Sequence, residues 1–370
     1  MKIGVMLRNI AERGGIVVYA KNLLRCLLEL DSKNDYVFMY RHQQDIGQLG
    51  TFPNVTEAVI RAPSKLLWDQ VAVPLFARKQ RIDVIYNPKL SIPVATRSKT
   101  VLVMHGGAQF VVPHVFKWHD RMYFKIANRI FCKRADAIIT MTHLGAQDIV
   151  QRMGAAPEKV HVLNEGYNEN CRVLDATATA AVKSKYSLPD QFILFVGGIT
   201  PLKNFGNLLK AYRKLQLRFS HKLVVVGFNR WKFSKDLGMV NELGLRDKIV
   251  FCGFVPDEDL PAFYNLASVF AFPSLYEGFG IPVLEAMACG CPVVTTETGC
   301  SPEVAGNAAL LINPYDPDAI ADAMAKVLGE EALRAKLIER GLERANQFSW
   351  RKCAAETLAV FNALGQRKAA

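Results

Sequence analysis

Residues 269–296 read VFAFPSLYEGFGIPVLEAMACGCPVVTT. The stretch holds an apolar β-rich run (VFAFPS, 269–274), a glycine-bearing turn, and a short helix that leads into a second apolar run, PVVTT (292–296). Pro282 suits the first helical position, where its missing N–H costs nothing, and Gly290 is a natural stop after the last turn. A strand, a crossover helix and a next strand in succession are the pattern of a parallel α/β sheet. The runs are apolar almost throughout instead of alternating, as strands buried on both faces should be.

The same rhythm extends in both directions. FILFVGG (192–198), KLVVVG (222–227), KIVFCGF (248–254) and ALLI (309–312) read as further strands, with NFGNLLKAYRKL (204–215) as a helix. Helices over 316–329, 330–346 and 351–365 finish the chain. Nearer the start, IGVML (3–7), YVFMY (36–40), DVIYN (83–87), TVLVMH (100–105), DAIITM (136–141) and VHVL (160–163) are strands, and YAKNLLRCLLEL (19–30) is a helix with apolar residues at 23, 24, 27 and 28. Residues 173–186, VLDATATAAVKSKY, break the pattern with small and polar residues and read as a linker. The expected organisation is therefore a first domain over 1–172, the linker, a second domain over 187–345, and a terminal helix in 346–370 that packs back toward the first domain. Two doubly wound, Rossmann-like domains facing a central cleft are the economical architecture. Ligands in such sheets sit beyond the carboxyl ends of the strands, where backbone amides and helix N-termini are free.

Composition agrees. The chain has 370 residues, 50% hydrophobic and 22% charged, which excludes disorder and fibrous repeats. That length suits two domains of roughly 100–200 residues. No apolar run approaches the roughly 18 residues that span a bilayer, and Arg8 interrupts the first one too early for a signal peptide. A soluble, cytoplasmic protein is expected. Its eight cysteines are scattered, with no C-x-x-C pair, so zinc-finger and thioredoxin chemistry lose support and reduced thiols are expected.

The net charge of +12 is unevenly placed: 24 Lys and Arg face 14 Asp and Glu in residues 1–172, against 22 and 20 in residues 173–370. Such asymmetry points to an anionic partner for the first half, or to a domain that is simply basic. Tyr123, Phe124, Ile126, Ile130 and Phe131 lie among Arg121, Lys125, Arg129, Lys133 and Arg134. That mixture suits a helix at an anionic membrane surface, and equally an amphipathic core helix with solvated cations. No run of five basic residues occurs, and nucleic acid is not expected as a partner.

Glu277 falls in the turn of the opening stretch and Glu285 is expected in the first turn of its helix, so two carboxylates would lie near one helix N-terminus. Gly278 and Gly280 would let backbone approach a ligand closely. Sugar hydroxyls suit such carboxylates, and a phosphate suits exposed N–H groups. The plainer alternative is that Glu285 complements the helix dipole and Glu277 is a surface turn residue.

The nine residues from Glu277 to Glu285 resemble the E-x7-E motif of the retaining glycosyltransferases of family 4, which have the GT-B fold, in its E-G-F-G-x-P-x-x-E form. Val196-Gly197 followed by Pro201-Leu-Lys203-Asn204, Phe251-Cys-Gly-Phe254 and Ser301-Pro-Glu303-Val look like the same family. So do Gly14-Gly15-Ile16, His105 at a strand end, and Ala135-Asp-Ala-Ile-Ile-Thr. The likeness covers roughly residues 1–345 and is most specific in the second domain. It implies a nucleoside-diphosphate sugar as donor, with Glu285 on its ribose and Glu277, the amides of Phe279 and Gly280, and Gly278 and Ile281 around the transferred sugar. Lys203, beside Gly197, would neutralise the diphosphate, His105 would sit near the sugar, and Gly14 and Gly15 would let the first turn approach donor or acceptor. No metal or other cofactor is implied.

Lys65-Leu-Leu-Trp68-Asp-Gln70 with Pro74 resembles the bacterial mannosyltransferase-like branch, which favours GDP-mannose over UDP-linked hexoses and a glycan or lipid-linked acceptor. One departure from the family is clear. Many members carry a second cation where this chain has Gly198 and Leu202; Arg230 or Lys232 would have to compensate. Two other classes stay open: a nucleotide-sugar epimerase on the same scaffold, and a non-catalytic bilobed sugar-binding protein.

Other strings weigh less. Asp257-Glu-Asp259 and Asp316-Pro-Asp318 each precede an apolar helical pattern and read as helix caps rather than metal ligands. His114 and His119 are off a common helical face. There is no P-loop, no G-x-G-x-x-G after the first strand and no G-x-S-x-G, so ATPase, dehydrogenase and esterase readings lack their motifs.

Overall fold

The strands of the chain sort into two parallel sheets, each wound in both directions from its first strand. The computed structural model describes residues 1–8, 10–12, 14–227 and 233–366. Unit 1 takes Met1–Gly166 and the chain from Ser349 onward; unit 2 is continuous, Tyr167–Phe348.

In unit 1 the strands are β1 (Lys2–Met6), β2 (Asp35–Tyr40), β3 (Val55–Val59), β4 (Val84–Asn87), β5 (Lys99–Val103), β6 (Ala137–Thr140) and β7 (Val160–Val162). Their order is β3-β2-β1-β4-β5-β6-β7, with every neighbouring pair parallel. The central strands are buried along most of their length, which explains their unbroken apolar runs. β3 lies at the sheet edge, its VTEAV only partly buried, and so escapes a search for apolar runs. The helix Gly15–Leu30 buries Leu23, Leu24, Leu27 and Leu28, the expected stripe.

The last helix, Trp350–Gln366, completes this unit. Trp350 and Phe361 are buried, packed edge-on against Tyr19 and Tyr86 with ring centroids 5.9 and 5.3 Å apart. Only glycine is tolerated where this helix begins beside the end of the first segment: a Cβ on Gly166 would stand 2.2 Å from the Trp350 nitrogen.

In unit 2 the strands are β8 (Phe192–Val196), β9 (Lys222–Val226), β10 (Ile249–Gly253), β11 (Val269–Phe272), β12 (Val293–Thr296) and β13 (Ala309–Ile312). The order β10-β9-β8-β11-β12-β13 repeats that of unit 1 without its seventh strand, and all pairs are again parallel. The helix Phe205–Leu215 packs on the Pro317–Gly329 helix over one face, where Leu208, Leu209 and Tyr212 meet Ile320 and Met324.

Two expectations need amending. Residues 167–172, expected in the first domain, group with unit 2. The stretch expected as a linker contains the helix Ala176–Lys185, whose first turn is capped by the Asp175 side chain accepting from the Ala178 N–H at 2.8 Å. Its alanines and threonines favour no apolar face, so periodicity conceals the helix; the cap announces it.

The two D-x-D strings behave differently. Asp316 caps its helix, accepting from the N–H groups of Asp318 and Ala319. Asp259 does not cap; its carboxylate accepts from Lys185 Nζ at 2.7 Å and the Tyr186 hydroxyl at 2.8 Å instead.

Candidate active site

In a doubly wound sheet the two loops at the reversal of strand order diverge and leave a crevice at the carboxyl ends. In unit 2 that reversal lies between β8 and β11, and the loops are Gly197–Asn204 and Pro273–Gly280. They are tied together. The Leu275 N–H donates to the Leu202 carbonyl at 2.8 Å. Asn204, in the left-handed conformation at φ 56°, donates from Nδ2 to the carbonyls of Pro273 (3.0 Å) and Pro314 (2.6 Å), joining the loops after β8, β11 and β13.

Across this frame Lys203 Nζ donates to Glu277 Oε1 at 2.7 Å, both side chains keeping 15–20% of their surface exposed. The same ammonium lies 4.4 Å from the centroid of the Phe272 ring, over its electron-rich face. An anion carboxylate and an aromatic face thus hold one cation at the mouth of the crevice. Gly197 lines the lysine stem, its position reached only because Gly227 has no side chain: a Cβ on Gly227 would come within 2.3 Å of the Gly197 carbonyl oxygen.

The turn closes at Gly280, φ 96°, which starts the helix Ile281–Ala288. Phe279 is buried against Phe348 (centroids 5.7 Å apart), and its carbonyl accepts from the Cys300 thiol at 2.9 Å, so the backbone around Gly278, Phe279 and Gly280 is fixed from below. Glu285 departs from the expected placement. It is the fifth helical residue, past the first turn, and only 8% exposed. Tyr264 donates its hydroxyl to Glu285 Oε2 at 3.0 Å. Burial pushes the Glu285 carboxyl up to about 7, with Tyr264 opposing the rise and Asp257 adding to it. Glu277 and Glu285 therefore differ in kind: one is a half-open ion-pair partner, the other a buried group that holds or releases a proton near neutrality.

His105 and Gly15 belong to unit 1. Gly15 is exposed at the start of the first helix, with open space where a Cβ would be. His105 follows β5; its Nε2 lies 2.8 Å from the Pro88 carbonyl, which can only accept, so Nε2 carries a proton. Its Nδ1 lies 3.6 Å from Glu165 Oε1, and Tyr19 packs edge-on against the ring at 4.9 Å. Glu165 is 4% exposed; burial raises its pKa and His105 draws it back down. Sequence reasoning passed over Glu165. The signal was present, a carboxylate directly before Gly166, three residues past the last strand of the unit.

Also unforeseen is a polar cavity of about 280 Å³ at the carboxyl ends of β1 and β2, lined by Arg8, Glu12, Arg41, His42, Asp45 and Lys65 among others. Asp45 is 2% exposed, and its Oδ1 has no hydrogen-bond partner among the described residues. Arg230 and Lys232, the cations considered as substitutes at Gly198 and Leu202, lie outside the described residues.

Comparison with known proteins follows the same division. Residues 13–170 match the family model described as Glycosyltransferase Family 4, and residues 179–344 that described as Glycosyl transferases group 1. O-antigen chain mannosyltransferase B of Escherichia coli is 31% identical over 287 residues, 76% of this chain and 75% of that protein. The serotype-specific mannosyltransferase WbdA of Escherichia coli is 35% identical over 240 residues, 63% of this chain but 29% of that longer protein. Among solved structures, the sucrose-phosphate synthase of Thermosynechococcus elongatus superposes with a TM-score of 0.81 over 99% of both chains at 20% identity. Anabaena HepE, solved in complex with UDP and glucose, gives 0.79 over 98% of this chain and 100% of its own, at 17% identity. At such identities the structural likeness speaks for the fold alone.

Proposed function

We propose that this chain, which belongs to glycosyltransferase family 4 and is a glycosyltransferase of GT-B fold, moves a mannosyl group from GDP-mannose to a hydroxyl of a lipid-linked glycan with retention at the anomeric carbon. The reading rests on one observation above all: the Lys203–Glu277 pair, held at 2.7 Å where the strand order of unit 2 reverses. The mannosyltransferase names of relatives at 31% and 35% identity support the choice of sugar.

The chemistry follows from charge. As the bond between the anomeric carbon and the diphosphate oxygen breaks, negative charge gathers on the diphosphate and positive charge on the sugar ring. Lys203 offsets the first, and Glu277, relieved of its ion pair, accepts hydrogen bonds from sugar hydroxyls beside the backbone of Phe279, Gly280 and Ile281. The acceptor oxygen bonds to the anomeric carbon on the face the diphosphate vacates, and the acceptor proton passes to the departing phosphate oxygen. Glu285 accepts from the ribose hydroxyls, a task its ionised form does best. No metal or other cofactor enters this scheme.

In unit 1, His105 and Gly15 are assigned to the sugar side and the donor phosphates. The acceptor glycan is assigned to the polar cavity near Asp45, whose buried Oδ1 has no donor among the described residues and would take one from a saccharide hydroxyl. The enzyme would then meet its acceptor as a peripheral protein at a membrane of anionic character.

The test is release of nucleoside diphosphate from a panel of GDP- and UDP-linked sugars by the full chain, with and without glycan acceptors. GDP-mannose should be consumed fastest and acceptor should accelerate it. Selective consumption of a UDP-hexose removes the assignment of sugar. No release from any donor, together with no thermal stabilisation by any nucleoside diphosphate, removes the assignment of the site.

A further inference from the structure

Trp68, Asp69 and Gln70 of unit 1 have no part in the chemistry above, yet their side chains tie three segments together. They open a π-turn, Trp68–Ala72, in which the Val73 N–H donates to the Trp68 carbonyl. It is set between the helical turn Lys65–Leu67 and the helix Val73–Gln80. Such turns inside helices recur at functional sites. Trp68 is fully buried and donates from Nε1 to the carbonyl of Ile60, just past β3, at 2.8 Å. Gln70 donates from Nε2 to the Ile92 carbonyl and accepts from the Val94 N–H, both at 2.9 Å, which fixes the loop after β4. Asp69, 7% exposed, accepts on Oδ2 from Ser91 Oγ at 3.1 Å, and its Oδ1 pairs with Nη1 of Arg8, two residues past β1. Ser91 is itself held by Asn87, the last residue of β4. β1 and β4 are the strands at which the order of unit 1 reverses.

A buried carboxylate–guanidinium pair adds little net stability, because the cost of taking both ions out of water offsets their attraction. Burial raises the Asp69 carboxyl above its ordinary value, and Arg8 draws it back down. The pair does remove freedom from Arg8, which lines the polar cavity together with Arg41, Lys65 and the carboxylates of Glu12 and Asp45. Both signs of charge therefore face the same space. A bound anion would be repelled by Glu12 and Asp45, whereas an uncharged sugar offers hydroxyls that accept from a guanidinium and donate to a carboxylate. Asp45 Oδ1, buried and without a donor among the described residues, suits the second contact. We propose that Asp69 is a positioning residue for acceptor recognition: it holds Arg8 to donate to one hydroxyl of an uncharged terminal sugar, while Asp45 accepts from a neighbouring hydroxyl. This rests on the assignment of the acceptor glycan to the cavity, and it narrows that acceptor to one whose extended end carries no charge.

Calorimetric titration of the full chain, without donor, with mannotriose, N-acetylchitotriose and maltotriose tests the idea. At least one should bind, and Asp69→Asn should weaken that binding about tenfold, the loss of one charge-assisted hydrogen bond. Arg8→Gln alone leaves a buried carboxylate without its cation and should lower the melting temperature. Adding Asp69→Asn replaces the broken pair by two uncharged, hydrogen-bonding groups. The double variant should therefore recover the melting temperature and still bind at least about tenfold more weakly than the parent. If the pair served the fold alone, stability and binding would return together. Release of nucleoside diphosphate from donor sugars is measured separately; its failure would remove the proposed reaction and leave the saccharide result standing. The proposal is overturned by a parent that binds none of the three sugars, by unweakened binding in Asp69→Asn, or by a double variant that binds as the parent does. Displacement of the bound sugar by inorganic phosphate also overturns it, since the cavity would then belong to an anion.

Discussion

The carboxyl ends of β1 and β4 in unit 1 and of β8 and β11 in unit 2 occupy equivalent places in one strand order, yet the two crevices are furnished differently. In unit 2 the loops are laced to each other by Asn204 and Leu275 and present a half-open ammonium–carboxylate pair. In unit 1 the loops after β1 and β4 also carry an ammonium–carboxylate pair, Lys89 Nζ with Glu12 Oε2 at 2.5 Å and more exposed, at 30 and 49%, while His105, after β5, is engaged at both ring nitrogens, by Pro88 and Glu165, with Tyr19 against its ring. A shared scaffold thus carries a tied, largely covered charge pair in one unit and a more open one in the other. Architecture alone would not distinguish them; the loops do.

This contrast can be broken at several points. Lys203→Ala should lower turnover by about 10²–10³-fold while leaving the melting temperature near that of the parent, because a preorganised charge at the departing diphosphate is among the largest single terms in group transfer. His105→Ala should cost less, about tenfold, since its ring is committed to contacts within unit 1. Equal losses would mean that both crevices carry the chemistry.

A second measurement uses pH. The folded Glu285 carboxyl titrates at about 7, above its ordinary 4.5, so between those values the folded chain keeps a proton that the unfolded chain has released. Stability contributed by that proton is complete below the ordinary value and is lost as pH rises through about 7, a change on the order of 3 kcal/mol. Glu285→Gln should remove the dependence and leave the ligand-free protein more stable than the parent at alkaline pH, with no difference in acid. Nucleoside diphosphate affinity should rise across the same range in the parent and stay flat in the variant. A parent protein whose stability is level from weakly acidic to weakly alkaline pH would contradict the buried-carboxyl assignment.

The smallest effect is expected at Gly15. A methyl there meets open space at the start of a helix, so Gly15→Ala should shift stability by less than about 1 kcal/mol. Any change in donor KM would then report the ligand and not the fold. A large loss of stability would mean that the first turn is packed more tightly than its surroundings show.

What the sequence disclosed divides along burial. Strands covered on both faces announced themselves as apolar runs, and the E-x7-E stretch marked the loop after β11 before any coordinates. β3 did not, because an edge strand needs only one covered face and its VTEAV mixes polar with apolar residues. The Ala176–Lys185 helix was hidden by a composition that favours no face. Within the site, the family resemblance marked Lys203 and Glu277 as partners of a ligand, but not as partners of each other, because 74 residues separate them in the chain. Glu285 lies one residue further along its helix than expected, just past the first turn, and its depth depends on Tyr264, contributed by the helix Leu260–Leu266. Glu165 needed the whole of β7 and its neighbours to be recognised as buried.

The split of unit 1 has a consequence for how the protein is made. Unit 2 is one uninterrupted segment and can close its core while the ribosome is still adding the tail. Unit 1, although begun first, lacks Trp350 and Phe361 until the final helix emerges, so its nascent portion must wait with the pockets around Tyr19 and Tyr86 unfilled. Truncation before Trp350 should therefore damage the earliest-synthesised half of the molecule and spare the later one.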